Sequence, residues 1–459
     1  MNTPLTGLIR EDQSYFEVTP IQTYWLDDDI DREYKSHDRI HGTMILKIEV
    51  RGEFNTEVFK KSIDFLVRRH ESLRATFHKK GTAFLMKVER PDNGLYEPEF
   101  IPDSPTDEDH YEALANFRGH KFNITDGPLF LVRVIRCKPD IHVIAFKIHH
   151  VIFDSWSTMV LRREIFPAYI AFASGRVPEL PELEFQYKDY LALINGNLRM
   201  NYEMDRKYWS EKFSQAPARL LIPGMKQEYV PAIQKVIQSE IADLPDVFMD
   251  RVVFLSRKLG VSLFVMLQAA FNYYMLKETG QPDVLIGTYV LGRDYPGCDA
   301  QIGCYAKTVL IRTVLDSHDS FAACISKVEQ SNHDMRTRTG YPLRYFLEEL
   351  LPAGFRSGDF YWNINLQFGD ERKKWKSEGD DGAPNVGPSA RILTNHYGNS
   401  LIQMDMQISF VHLGDRMQLQ IHYDGASFTP ETVRDFISSF CMFAGKQLES
   451  ILCDQSDKT

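Results

Sequence analysis

Phe59, Ile63, Leu66 and Val67 recur at intervals of three and four within residues 53–69, the spacing of one buried face of a helix. The period then changes. Residues 79–88 and 130–137 read as strands, with Asp126-Gly127-Pro128 marking a turn between them. Ile141 to Ile148 is dense in β-branched and aromatic residues and reads as a buried strand. Helical spacing returns at Met159, Val160, Leu161, Ile165 and Phe166, behind three residues able to cap a first turn, Asp154, Ser155 and Ser157. Ser174-Gly175 stops that helix, and residues 176–184, with Pro178 and Pro181, read as a linker.

Beyond the linker, residues 187–193 and a polar helix at 205–213 open a second series. Ser262 caps a predicted helix from Leu263 to Lys277, which Gly280 closes. Residues 284–290 and 305–312 read as strands joined by a bridging loop near 292–303, and 361–368, 403–411 and 417–423 as further strands. The charged, Gly-, Ser- and Pro-rich stretch 373–390 is expected to be a mobile excursion. Mixed periods throughout predict an α/β (α+β) fold, and 459 residues exceed one ordinary core. Two lobes are expected, 1–175 and 176–459.

Composition narrows the picture. No run of eighteen or more apolar residues occurs, so no membrane-spanning segment is expected. The N-terminus lacks an apolar signal core, and a cytoplasmic location is the expectation. Six cysteines are sparse and form no Cys-x-x-Cys pair, which fits reduced thiols. A net charge of -10 argues against nucleic acid as a partner.

The chemistry concentrates in His149-His150-Val151-Ile152-Phe153-Asp154-Ser155-Trp156-Ser157. Two adjacent histidines close an apolar strand, and a carboxylate follows. If the strand runs on through the pair, its period of two sends the imidazoles to opposite faces, one held by structure and one facing a reactant. An isolated pair of this kind is more often structural than reactive. His-x-x-x-Asp without further clustered ligands lacks a zinc spacing, and no metal is expected.

Two other segments change that balance. Arg69-His70-Glu71-Ser72-Leu73-Arg74-Ala75-Thr76-Phe77 lies upstream and Ile302-Gly303-Cys304-Tyr305-Ala306-Lys307-Thr308-Val309-Leu310-Ile311-Arg312 downstream. With the histidine segment, in this order, they resemble the signature blocks of nonribosomal peptide synthetase condensation domains. Pro20-Ile21-Gln22-Thr23-Tyr24-Trp25, Tyr187-Lys188-Asp189-Tyr190 and Gly292-Arg293 are weaker echoes of the same family.

The resemblance implies two lobes like chloramphenicol acetyltransferase in a V-shaped pseudo-dimer, and the aminolysis of a thioester. The donor acyl group would arrive on the phosphopantetheine arm of an acyl or peptidyl carrier protein, so no cofactor is expected to be bound. The acceptor would be a small-molecule amine or a carrier-bound aminoacyl group, with a hydroxyl giving an ester instead. His150 matches the catalytic position, as general base or as positioning partner; free imidazole, with a pKa of about 6.5, suits proton transfer near neutral pH. His149 is implied to be structural, and Asp154 to pair with Arg293. Ser155, Trp156, Ser157, Tyr305 and Lys307 are candidates to line the substrate channel. Two departures stand out: Ser155 occupies a position usually held by glycine, and Lys307 one usually held by asparagine. Arg162-Arg163 could add a local basic patch for an acidic carrier, although two solvated arginines on a helix are commoner.

Cyclisation relatives carry aspartate in place of the first histidines, and epimerisation relatives place Ser-Trp where this chain has Ser157-Thr158; neither pattern is met. A condensation enzyme is therefore expected, free-standing, monomeric and acting in trans, with a domain excised from a larger protein as the other possibility. The alternatives are a coenzyme-A-dependent acyltransferase of the same superfamily and an inactive carrier-docking module.

Overall fold

The computed structural model describes residues 15–23, 25–26, 42–91, 96, 98–101, 114, 117, 119–215, 217, 220–222, 224–225, 237–345, 362–368, 389–397, 406–413 and 416–456. The chain divides into two compact units. The first comprises 1–200, 291–306 and 373–400, the second 201–290, 307–372 and 401–459. Residues 176–200, 291–306 and 373–400, all expected in the C-terminal lobe, thus belong to the first unit, and the bridging loop expected near 292–303 falls within the second of these stretches.

In the first unit a five-stranded sheet runs in the order β12 (Ser389–Tyr397), β2 (Thr43–Arg51), β7 (Ile141–His149), β6 (Phe130–Lys138), β5 (Glu99–Ile101). The long pairs are antiparallel. Alternation sorts the faces: Met44, Leu46, Ile48 and Val50 of β2 share a buried side with Ile144, Phe146 and Ile148 of β7. Two helices join that core, α1 (Thr56–Arg69) through Phe59, Ile63 and Leu66, and α2 (Ser155–Ala173) through Val160, Leu161 and Ile165. The expected apolar stripe of α1 is buried, and Asn55 caps it, accepting from the Val58 N–H at 3.0 Å. Residues 79–88, expected as one strand, instead belong to a hairpin of β3 (Ala75–Lys80) and β4 (Ala83–Val88), with β1 (Tyr15–Glu17) on the far edge of β4. The break falls at Gly81, whose φ of 64° supplies the left-handed residue of the turn.

The second unit holds a six-stranded sheet ordered β10 (Lys307–Val314), β9 (Asp283–Val290), β11 (Trp362–Phe368), β13 (Met406–His412), β14 (Met417–Asp424), β8 (Ile237–Asp243). Helices α4 (Asp246–Leu259), α5 (Leu263–Glu278), α6 (Phe321–Arg336) and α7 (Pro430–Ser456) contribute to its core. Ser262 caps α5 as expected, and twelve consecutive residues of that helix, Val265 to Leu276, are buried. The segments at 187–193 and 205–213, expected as separate pieces, form one helix, α3 (Tyr187–Lys212). The strand expected at 305–312 begins only at Lys307, because Tyr305 and Ala306 are engaged elsewhere. Residues 373–388 of the expected excursion, and 403–405 of an expected strand, lie outside the described residues.

Candidate active site

β7 ends at His149, and His150 opens a single 3₁₀ turn, His150–Ile152. The strand does not continue through the pair, so the opposite-face argument fails; a change of backbone, and not the pleat, separates the two rings. His149 is buried, and its Nδ1 accepts the Val151 N–H at 3.1 Å. An accepting Nδ1 carries no proton, which makes this imidazole the neutral Nε2–H tautomer. Gly42 packs against it with φ 63°, and a Cβ there would stand 3.2 Å from His149 Cε1. Neither requirement is met by another residue without strain.

His150 is held differently. Its backbone N–H donates to the Gly42 carbonyl, and its own carbonyl accepts from Phe153 N–H at 3.2 Å. Its ring lies flat on Trp25, with centroids 4.5 Å apart and planes 14° apart. Nδ1 is buried and makes no hydrogen bond of good geometry among the described residues. Burial pushes the imidazole below its ordinary pKa, opposed only in part by its own backbone carbonyl and the charge of Asp154. The ring is consequently a neutral base at neutral pH.

Asp154 caps α2, as one of the three residues expected to do so. Its Oδ1 accepts from Ser157 N–H at 2.8 Å, Ser157 Oγ at 2.7 Å and Arg293 Nη2 at 2.8 Å. Its Oδ2 accepts from the N–H groups of Tyr305 at 3.1 Å and Ala306 at 3.2 Å. Arg293 also donates to the carbonyls of Cys298 and Gln301, and its guanidinium lies 4.1 Å from the Tyr305 ring centroid. The ion pair implied by the resemblance is therefore present and buried, with both carboxylate oxygens and both terminal guanidinium nitrogens bonded and Arg293 Nε left without a partner among the described residues.

The other channel candidates separate. Ser157 is fully buried, with Oγ between Asp154, Arg293 and the Gly303 backbone, and Tyr305 is fully buried under Arg293; both are packing and hydrogen-bonding parts of the Asp154–Arg293 network, a pin that fastens the start of α2 to residues 293–306, with no surface to offer a channel. Trp156 donates from Nε1 to the Asp299 carbonyl at 2.9 Å. Ser155 is exposed in the first turn of α2. Lys307 starts β10 in the second unit, half-buried and paired in register with Val290. Among the described residues, no three His, Cys, Asp or Glu side chains cluster as metal ligands.

The distant sequence blocks meet here for physical reasons. Ser72 Oγ donates to the Ile302 carbonyl at 2.6 Å, and Tyr187 Oη to the Cys304 carbonyl at 2.7 Å. Gly303 lies so close to Tyr187 that a Cβ would fall 2.3 Å from its ring. In the Arg69 block, the buried His70 Nε2 bonds Glu164 Oε2 at 2.7 Å, and Arg69 Nε reaches the same oxygen at 3.1 Å. Three contributors to the histidine turn were not assigned roles from sequence: Gly42, Trp25 and Gln22, whose Nε2 donates to the Val151 carbonyl at 2.9 Å. Gln22 and Trp25 are three residues apart within a helical stretch, a spacing that puts both on one face. Gly42 carries no comparable signal.

A family model for the condensation domain matches residues 15–452. A linear gramicidin synthase protein of Brevibacillus parabrevis is 29% identical over 310 residues, 66% of this chain and 6% of that protein. Malpibaldin synthetase of Mortierella alpina is 24% identical over 396 residues, 84% of this chain and 7% of that protein. The chain thus spans only a small part of the length of such curated relatives. Among solved structures, the X-domain from teicoplanin biosynthesis superposes with a TM-score of 0.80 at 18% identity, covering 97% of each chain. The first condensation domain of the calcium-dependent antibiotic synthetase, in complex with a substrate analogue, gives 0.71 at 14% identity, covering 95% of this chain and 97% of the other. These structural matches establish the fold, that of chloramphenicol acetyltransferase.

Proposed function

Because this chain belongs to the condensation-domain family, we propose that it forms amide bonds in nonribosomal peptide assembly, with a carrier-bound acyl or aminoacyl thioester as donor. The observation that carries the reading is the state of His150: a neutral, half-buried imidazole with a buried, unpartnered Nδ1, set on a turn that other residues hold in place. Another buried atom nearby, Arg293 Nε, also lacks a partner among the described residues, but the His150 nitrogen belongs to a group able to exchange a proton near neutral pH.

The step needs one base. The acceptor amine attacks the thioester carbonyl, a C–N bond forms, and the ammonium nitrogen must lose a proton. His150 takes it and returns it to the departing sulfur as the C–S bond breaks, so the products are an amide and the free thiol of the phosphopantetheine arm. Positioned acid–base catalysis of this kind supplies about 10²–10⁴-fold in rate. Delivery of the donor on a tether supplies proximity.

The test is direct. The protein is incubated with an acyl-loaded carrier protein and a pool of amines, hydroxyl acceptors and aminoacyl carriers, and products are read by mass. Amide formation from the carrier thioester, lost in His150→Gln, supports the proposal. Equal turnover of acyl-coenzyme A would point to the coenzyme-A-dependent reaction, an ester product would change the acceptor class, and tight carrier binding with no turnover would leave a docking module.

A further inference from the structure

Trp25 comes from the N-terminal segment, far in sequence from the histidine turn, yet its indole lies face to face with the His150 ring. The contact has little slack. Gly42 bonds the His150 backbone through its carbonyl, and a Cβ on Gly42 would come within 3.7 Å of Trp25 Cε3, so indole, glycine and imidazole form one packed layer. Gln22, one turn earlier, anchors the same N-terminal stretch to the Val151 carbonyl.

Flat stacking matters because of what the imidazole must become. A neutral ring on an indole face gains contact area. A protonated ring gains more, since the indole quadrupole is negative over its face and tryptophan is the strongest such partner. Desolvation works the other way and disfavours the charged ring. The groups acting on His150 are few: Asp154 and the carbonyls of His150 and Phe153 favour its protonation, and His149 disfavours it. Asp154 is already committed to Arg293 and four other donors, so its charge is largely answered.

We infer that Trp25 is a positioning residue for His150, fixing the plane of the imidazole and stabilising the imidazolium that forms when the ring takes a proton. This rests on His150 being the base, but its test does not depend on turnover. The full chain is prepared with labelled histidine, the His150 ring resonance is identified by its loss in His150→Gln, and its titration is followed in wild type, Trp25→Leu and Trp25→Phe. Leucine keeps apolar cover without a π-face, so the His150 midpoint should fall by about half to one and a half pH units, the range expected for losing a cation–π contact. Phenylalanine, a weaker π partner, should fall between. The acid limb of amide formation should move in parallel. An unchanged or raised midpoint in folded Trp25→Leu overturns the inference, because a tryptophan that merely excluded water would raise the midpoint when removed. If Trp25→Leu does not fold, Trp25→Phe decides by the same sign. A protein that makes no amide but shows the predicted titration would refute the catalytic reading of His150 and leave the Trp25 contact standing.

Discussion

The Asp154 pin and the His149–His150 turn lie four residues apart and are built on opposite principles. At the pin, one carboxylate accepts five hydrogen bonds, and the arginine facing it satisfies two carbonyls besides. At the turn, the His150 ring is held by stacking and by its backbone, and its Nδ1 has no partner among the described residues. Dense polar networks rigidify, here even with Arg293 Nε left without a partner among the described residues, whereas at the turn stacking and backbone bonds hold the ring. The two regions thus divide labour: the pin locks the start of α2 to residues 293–306, and that rigidity lets the neighbouring turn present an underbonded base.

The largest effect should come from removing the base while keeping the pin. His150→Gln should lower amide formation by about 10²–10⁴-fold while leaving the unfolding midpoint in urea close to wild type. The pH dependence carries the same contrast. Because burial lowers the His150 pKa, the active neutral form persists as pH falls past 6.5, and activity should be lost only below that value. An acid limb centred above 6.5 would contradict a desolvated base. Stability has the same sign: below 6.5 the unfolded chain binds a proton that His150 and the buried His70 resist, so acid should destabilise the fold.

The complementary experiment disrupts the pin. Asp154→Ala strands the buried Arg293 guanidinium and should cost about 3–5 kcal/mol in denaturant melts, with turnover falling because less folded protein remains. Arg293→Met should do similar damage by stranding the carboxylate. The two together should cost less than the sum, since the residues share one network. A stable, folded, inactive Asp154→Ala would instead place the carboxylate in the chemistry.

Much of this arrangement was legible in sequence where a single residue type imposed it. Period-3.6 and period-2 spacing located α1, α2, α5 and most of β6, β7 and β9, because a half-buried element must repeat its apolar face. The Asp154–Arg293 pair was accessible only through resemblance, since 139 positions of separation carry no local signal of contact. Failures came where tertiary demands override local pattern. Lys79 to Val88 alternates well enough for one strand, yet Gly81 permits a turn and the segment folds back. Tyr305 has strand propensity, but the Asp154 carboxylate claims its N–H. Ser157 and Tyr305, candidates for the channel through the resemblance, are drawn inward by that same carboxylate and by Arg293.

Gly42 tests how much the turn depends on close packing. Gly42→Ala forces a left-handed residue with a Cβ against His149, which should cost about 1–2 kcal/mol from backbone strain alone. The His149 ring must then shift, and the Val151 contact that shapes the 3₁₀ turn with it. Turnover should fall by more than the loss of folded protein explains, whereas a comparable strain placed at Gly81, which nothing approaches within 4 Å, should lower stability without changing the activity of the folded fraction. Equal behaviour of the two variants would mean that His149 does not set the position of His150.

The smallest expected effect is at Ser155, and it is informative because sequence reasoning assigned this residue weight. A glycine at this position would matter if the backbone needed a positive φ, yet Ser155 is the first helical residue of α2, where serine is at ease. Its side chain is exposed, and the capping bond is made by Asp154. Ser155→Gly should therefore change stability by no more than about 1 kcal/mol, the ordinary penalty of glycine in a helix, and leave turnover with small amines within about twofold. A selective rise in turnover with bulky acceptors, at unchanged stability, would show that the hydroxyl narrows the approach to His150. It would also separate the two regions once more, since the residue touching the acceptor would belong to the first turn of the helix that the pin immobilises.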